Sequence, residues 1–102
     1  MKTETMTKEV KTEQSINLIE GIFTASEASD IINNILNVKI NFHKLKVFSR
    51  TIGDFNDKCE QDNGRIKALL HEQQIAKEFF KNVRVEGRKL KINSRIEISI
   101  ED

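Results

Sequence analysis

The chain has 102 residues, enough for one domain that buries roughly two-thirds of its unfolded surface and too few for a second core. Charged residues make up 32% and hydrophobic ones 37%, a lean composition short of disorder, and the absence of Trp, Tyr and Pro leaves six Phe with Ile and Leu to fill a small core. Seventeen basic against sixteen acidic residues give +1, which excludes a global field drawing the protein to polyanions.

The charge is nonetheless polarised along the chain, from −3 over residues 1–37 to +4 over residues 38–102. Cys59 is the single cysteine; that excludes an internal disulfide framework and suits a reducing compartment. No stretch resembles a signal h-region or approaches the ~18 consecutive apolar residues of a membrane span. These features predict a cytoplasmic protein with no membrane partner.

Residues 1–13 mix Lys, Thr and Glu without apolar periodicity and are expected to form a flexible N-terminal arm, with residues 14–102 as a single domain. "SINLIEGIF" (15–23) is rich in β-branched and apolar residues and reads as a strand, with Gly21 where a bulge could shift the pattern. "TASE" (24–27) then has capping-box spacing, Thr24 accepting from the third helical N–H and Glu27 reaching back to the cap. From there Ala28, Ile31, Ile35, Val38, Phe42, Leu45 and Phe48 recur in steps of three and four, which predicts one apolar helical stripe, widened by Ile32 and Leu36, with a break near Asn37 as the rival reading.

The same stretch carries a basic ridge. Lys39, His43, Lys46 and Arg50 follow steps of four, three and four on a side distinct from Val38, Phe42 and Leu45. Stacking platforms for single-stranded nucleic acid need aromatic faces exposed beside the basic groups. With Phe42 and Phe48 assigned to the core stripe, the ridge reads first as a solvated helix face.

"TIGDFNDKCEQDNG" (51–64) clusters Gly, Asp and Asn and is expected to be a loop. Asp54, Asn56, Asp57, Glu60 and Asp62 raise a calcium site, but counting from Asp54 the sixth position is Cys59, where the turn wants Gly, and the twelfth is Arg65, where a bidentate carboxylate is needed. No metal site is expected. Asp62 or Asn63 is the expected cap of a second helix with the stripe Ile66, Leu69, Leu70, Gln73, Ala76, Phe80 and Val83. Gln73 on that stripe needs a hydrogen-bonding partner if it is buried. Gly87 ends the region, and "VRV" (83–85) is either a short hairpin strand or the end of the helix.

"RKLKINSRIEISIED" (88–102) closes the chain with the cleanest alternation in it, Leu90, Ile92, Ile96, Ile98 and Ile100 against Lys89, Lys91, Asn93, Arg95, Glu97 and Ser99. The order strand-helix-helix-strand predicts a small α+β domain of antiparallel strands with two helices packed on one face. A two-stranded sheet is marginal by itself, so the sheet edge is expected to take a protein partner or a second copy.

Gly21, Phe23, Thr24, Glu27 and Ala28, followed by Ile40, Asn41, Phe42 and His43, give a strand, a Phe-Thr-x-x-Glu-Ala helix start and an Ile-Asn-Phe-His segment. With the terminal alternating strand, the chain resembles small uncharacterised bacterial proteins of about this length. The resemblance implies that the domain recurs and brings no activity with it.

Two His, one Cys and no Tyr leave the common nucleophile–base pairs almost unfilled, and the carboxylates around Cys59 work against a thiolate. No phosphate loop, His-x-x-x-His pair or Cys-x-x-Cys is present, so neither catalysis nor a cofactor is expected. The expectation is a small non-catalytic interaction protein, a subunit, adaptor or inhibitor that binds another macromolecule. The alternative is a nucleic-acid-associated protein using basic clusters 38–50 and 77–95, with Lys39, His43, Lys46, Arg50, Arg84, Arg88, Lys89, Lys91 and Arg95 as the binding surface and only weak affinity.

Overall fold

The computed structural model of the protein describes residues 12–101. Its elements are β1 (Glu13–Phe23), α1 (Ala25–Gly53), α2 (Glu60–Glu86) and β2 (Leu90–Ser99), the α+β order that the sequence predicts. The expected N-terminal arm, residues 1–13, lies outside the described residues except for Thr12 and Glu13. There the Ile100 N–H donates to the Thr12 carbonyl (3.0 Å) and Glu13 opens β1. The described residues fall into two compact units, the strand pair (up to Gly21 and from Lys91) and Ile22–Leu90.

In the strand unit β1 and β2 form a two-stranded sheet. The start of β1 meets the end of β2, so they run antiparallel. Every described residue of both strands is exposed or half-buried, and Ile16, Leu18, Ile96, Ile98 and Ile100 all count among the exposed apolar residues. All the buried residues among those described belong to the other unit, on the facing sides of α1 and α2 and at Cys59 between them.

The capping box opens α1 as its sequence predicts, with Glu27 N–H donating to Thr24 Oγ1 (3.1 Å) and Thr24 N–H donating to Glu27 Oε1 (2.9 Å). The helix runs unbroken through Asn37 to Gly53, so β-branched Val38 and Ile40 do not interrupt it. The loop is accordingly shorter than 51–64 and covers residues 54–59. Its acidic residues serve the backbone: Asp54 Oδ1 accepts from Asn56 N–H (3.0 Å) and Asp57 Oδ1 from Cys59 N–H (2.9 Å).

Neither Asp62 nor Asn63 caps α2. Cys59 is the N-cap residue, in the left-handed region at φ 49° and without a side-chain cap bond. A non-glycine residue holds that conformation only where its surroundings over-determine it; here Cys59 is buried and tied through its N–H to Asp57. At the other end Gly87, at φ 69°, donates to the Arg84 carbonyl (3.0 Å), and Arg88 N–H reaches the Val83 carbonyl (3.3 Å). The "VRV" segment is therefore the last turn of α2 and not a third strand.

The α2 seam is the expected one except at Leu70, which is exposed: Leu69 and Phe80 are buried and Ile66, Gln73, Ala76 and Val83 half-buried. The α1 seam is corrected in its second half. Ala28, Ile32 and Leu36 face inward as expected, joined by Ala25, Ile40, His43 and Val47, whereas Val38, Phe42, Leu45 and Phe48 are exposed. The chain offers two apolar stripes on α1, and the one facing α2 is the one that carries a polar residue.

Candidate functional site

Continuing the α2 seam backward from Ile66 by one step of four reaches Asp62. That places a carboxylate on the buried side of the first helical turn, 3% exposed. A buried carboxylate must be hydrogen-bonded or paired. The partner is His43, itself 9% exposed, whose Nδ1 lies 2.9 Å from Asp62 Oδ1. Lys46 Nζ stands 3.7 Å from the same oxygen, and an Arg50 guanidinium nitrogen stands 4.0 Å from Oδ2. Three of the four residues of the basic ridge thus converge on one carboxylate from the facing helix, and Lys39 stays exposed.

The electrostatics follow from that geometry. The hydrogen bond from His43, with the charges of Lys46 and Arg50, holds the Asp62 carboxyl below its ordinary value although burial opposes this. Burial, reinforced by the Asp57 carboxylate, pushes the Cys59 thiol upward, away from a nucleophilic thiolate. Among the described residues the His43 ring is hydrogen-bonded to Asp62, and no Ser, Thr or Cys side chain bonds to it. No group of three or more His, Cys, Asp or Glu among the described residues could hold a metal ion. The cluster fixes the rotation of α1 against α2, and that is the chemistry its contacts provide.

A second polar contact sits further along the hairpin. Gln73 Nε2 donates to Asn37 Oδ1 (2.7 Å) and Asn33 Oδ1 (3.3 Å), supplying the partners its place on the seam requires. This amide trio lines an open groove of about 680 Å³ whose cationic wall is Lys77, Lys81 and Arg84.

The residues named for a basic surface divide between the two units, Lys91 and Arg95 in the strand unit and the other seven in the helical one. His43, Lys46 and Arg50 gather at Asp62, while Arg84 lines the amide groove. At 1.5 Å per residue, Asp62 and Lys81 on α2 lie roughly 28 Å apart. Arg88 is 3.7 Å from Glu86, Lys89 is exposed in the connector, and Lys91 and Arg95 are exposed on β2, Arg95 lying 4.0 Å from Glu97.

The outer side of α1 is largely apolar. Phe42 is 56% exposed, Val38 70% and Leu45 67%, on a helix whose other side is the core seam. His43 and Asp62 went unrecognised as a pair in the sequence because Asp62 read as a cap. The signal was present, since Asp62 extends the α2 stripe and His43 extends the stripe Ile32, Leu36, Ile40.

No protein-family model, curated protein or solved structure matches this chain. No helix among the described residues is long and apolar enough to cross a membrane.

Proposed function

We propose that this is a non-catalytic interaction protein of the cytoplasm, a subunit, adaptor or inhibitor that works by covering the outer face of α1 with another protein. The observation that carries the reading is the stripe Ile35, Val38, Phe42 and Leu45, extended past Ser49 to Ile52, all five apolar residues exposed on a helix that already has its own core seam. Single exposed hydrophobic residues need no explanation, but a contiguous apolar face of this length marks an interaction surface. Supporting it, the cations beside that face are drawn to Asp62, and the lone Cys59 suits a reducing compartment. The two-strand sheet, with no further strand beside it among the described residues, offers an edge for a partner as well.

The reading is tested by comparing the tagged parent with a Phe42→Glu, Leu45→Glu double variant as baits, after circular dichroism has established equal helicity. Proteins held by the parent and lost from the variant are the expected result. Identical recovery by both baits would remove the outer face from the function. Titration with labelled single- and double-stranded oligonucleotides from ~50 to ~200 mM salt addresses the nucleic-acid alternative, because phosphate contacts show a steep loss of affinity over that range. Tight, salt-sensitive binding abolished by Lys77→Glu with Lys81→Glu would establish that alternative instead.

A further inference from the structure

The outer faces of the two helices differ in charge as well as in composition. From Ile31 to Gly53 α1 contains Lys39, Lys44, Lys46 and Arg50 and no acidic residue. Lys39 and Lys46 each follow a residue of the apolar stripe, Val38 and Leu45, and Lys46 Nζ lies 5.5 Å from the centroid of the Phe42 ring. On α2 the residues Ala68, Glu72, Ile75, Phe79, Asn82 and Glu86 recur in steps of four and three, so they share one stripe, and all six are exposed. That stripe carries two large apolar residues, Ile75 and Phe79, each 52% exposed, together with two carboxylates, Glu72 and Glu86, the latter 3.7 Å from Arg88.

We infer that the occupant of the α1 outer face is the α2 outer stripe of a second copy of this chain. An apolar stripe flanked by lysines meets an apolar stripe that bears carboxylates, which is the pattern that sets partner and register between helices. Two such contacts related by a two-fold axis, α1 on the partner's α2 and α2 on the partner's α1, close the assembly as a dimer and leave no unpaired copy of either face. Pairing α1 with α1 instead would bring Lys39 and Lys46 against their own copies with no acidic residue on the stripe. The inference rests on the proposed role of the α1 outer face and specifies its partner.

Sedimentation velocity on the full chain, from about 1 to 100 µM, tests it, with dissociation constants on the scale of typical protein contacts. A reversible dimer is expected. Phe42→Glu should weaken it by at least about a hundredfold while leaving the helical circular dichroism intact, since the ring is outside the core. Lys39→Glu and Glu72→Lys should each weaken self-association by about tenfold, and an equimolar mixture of the two should recover a heterodimer because each repulsion is then replaced by an attraction. A chain that is monomeric throughout would overturn the second copy as occupant. If the baits described above still lose proteins with Phe42→Glu, Leu45→Glu, the interaction reading itself survives that result. A dimer indifferent to Phe42→Glu, or one weakened by it with no charge-swap recovery, would overturn the α1-to-α2 pairing.

Discussion

The two faces of α1 carry similar apolar content and have opposite fates. The inner face offers Ile32, Leu36, Ile40 and Val47 with His43 among them; the outer face offers Ile35, Val38, Phe42, Leu45 and Ile52, with Ser49 between the last two. By hydrophobicity alone the outer face is the better core, yet it is the exposed one. What selects the inner face is complementarity with α2, whose first turn presents Asp62 and so requires a hydrogen-bonding, cationic neighbour when buried. His43, with Lys46 and Arg50 behind it, is that neighbour. One polar pair thus outranks a stripe of larger side chains in setting helix rotation.

The sharpest test of that contrast is a pair of phenylalanines. Phe80→Ala, in the α2 seam at 8% exposure, should cost ~3–5 kcal/mol through lost transfer energy plus a cavity. Phe42→Ala, assayed at a concentration too low for association, should stay within about 1 kcal/mol of the parent. Urea melts that give Phe42 the larger cost would mean the helix is rotated the other way.

The polar pair itself should appear in the acid limb of stability. Asp62 titrates below its ordinary value in the folded chain, so its contribution is complete at neutral pH, begins to decline as pH approaches the unfolded carboxyl value near 3.8, and is lost as pH falls through the lowered folded one. Asp62→Asn should flatten that decline between about pH 4 and pH 2 relative to the parent. His43→Ala should lower the denaturant midpoint at pH 7, because it leaves the Asp62 carboxylate without its hydrogen bond. Parallel acid limbs in parent and Asp62→Asn would show that the carboxylate is not held by the cluster.

Where the sequence states a local rule, the fold follows it. Thr24 and Glu27 sit at capping-box spacing and form the box; Gly87 stops α2 in the left-handed conformation; the alternation from Leu90 is a strand. Thr24→Ala accordingly should cost ~1 kcal/mol in thermal or urea melts, and no measurable loss would mean that the α1 start is fixed by packing alone. The failures are all matters of choosing between competing global arrangements. Two apolar stripes on one helix leave its rotation undecided by periodicity, and a carboxylate near a helix start reads equally as a cap or as a seam residue. An alternating strand reads as half-buried, although Ile96 and Ile98 remain exposed. The acidic character of α2's outer stripe against the basic character of α1's was legible in the residues but acquires meaning only once both stripes are known to face outward.

The smallest effect concerns the border between the two faces. Lys46 and Arg50 approach Asp62 at 3.7 and 4.0 Å with side chains 44% and 49% exposed, distances and exposures at which water screens most of the attraction. Either residue replaced by Ala should therefore leave stability at pH 7 within about 0.5 kcal/mol of the parent. Their effect belongs to the titration of Asp62. Removing a cation relaxes its depressed carboxyl upward, so the acid limb should move to slightly higher pH in Lys46→Ala and further in the double variant with Arg50→Ala, and 1 M salt should produce the same displacement in the parent. A large loss at neutral pH from Lys46→Ala would instead assign the lysine, beside His43, a part in fixing the rotation of α1. That outcome would place the boundary between core and exterior one residue row further around the helix, on the side where Lys46 overlies Phe42.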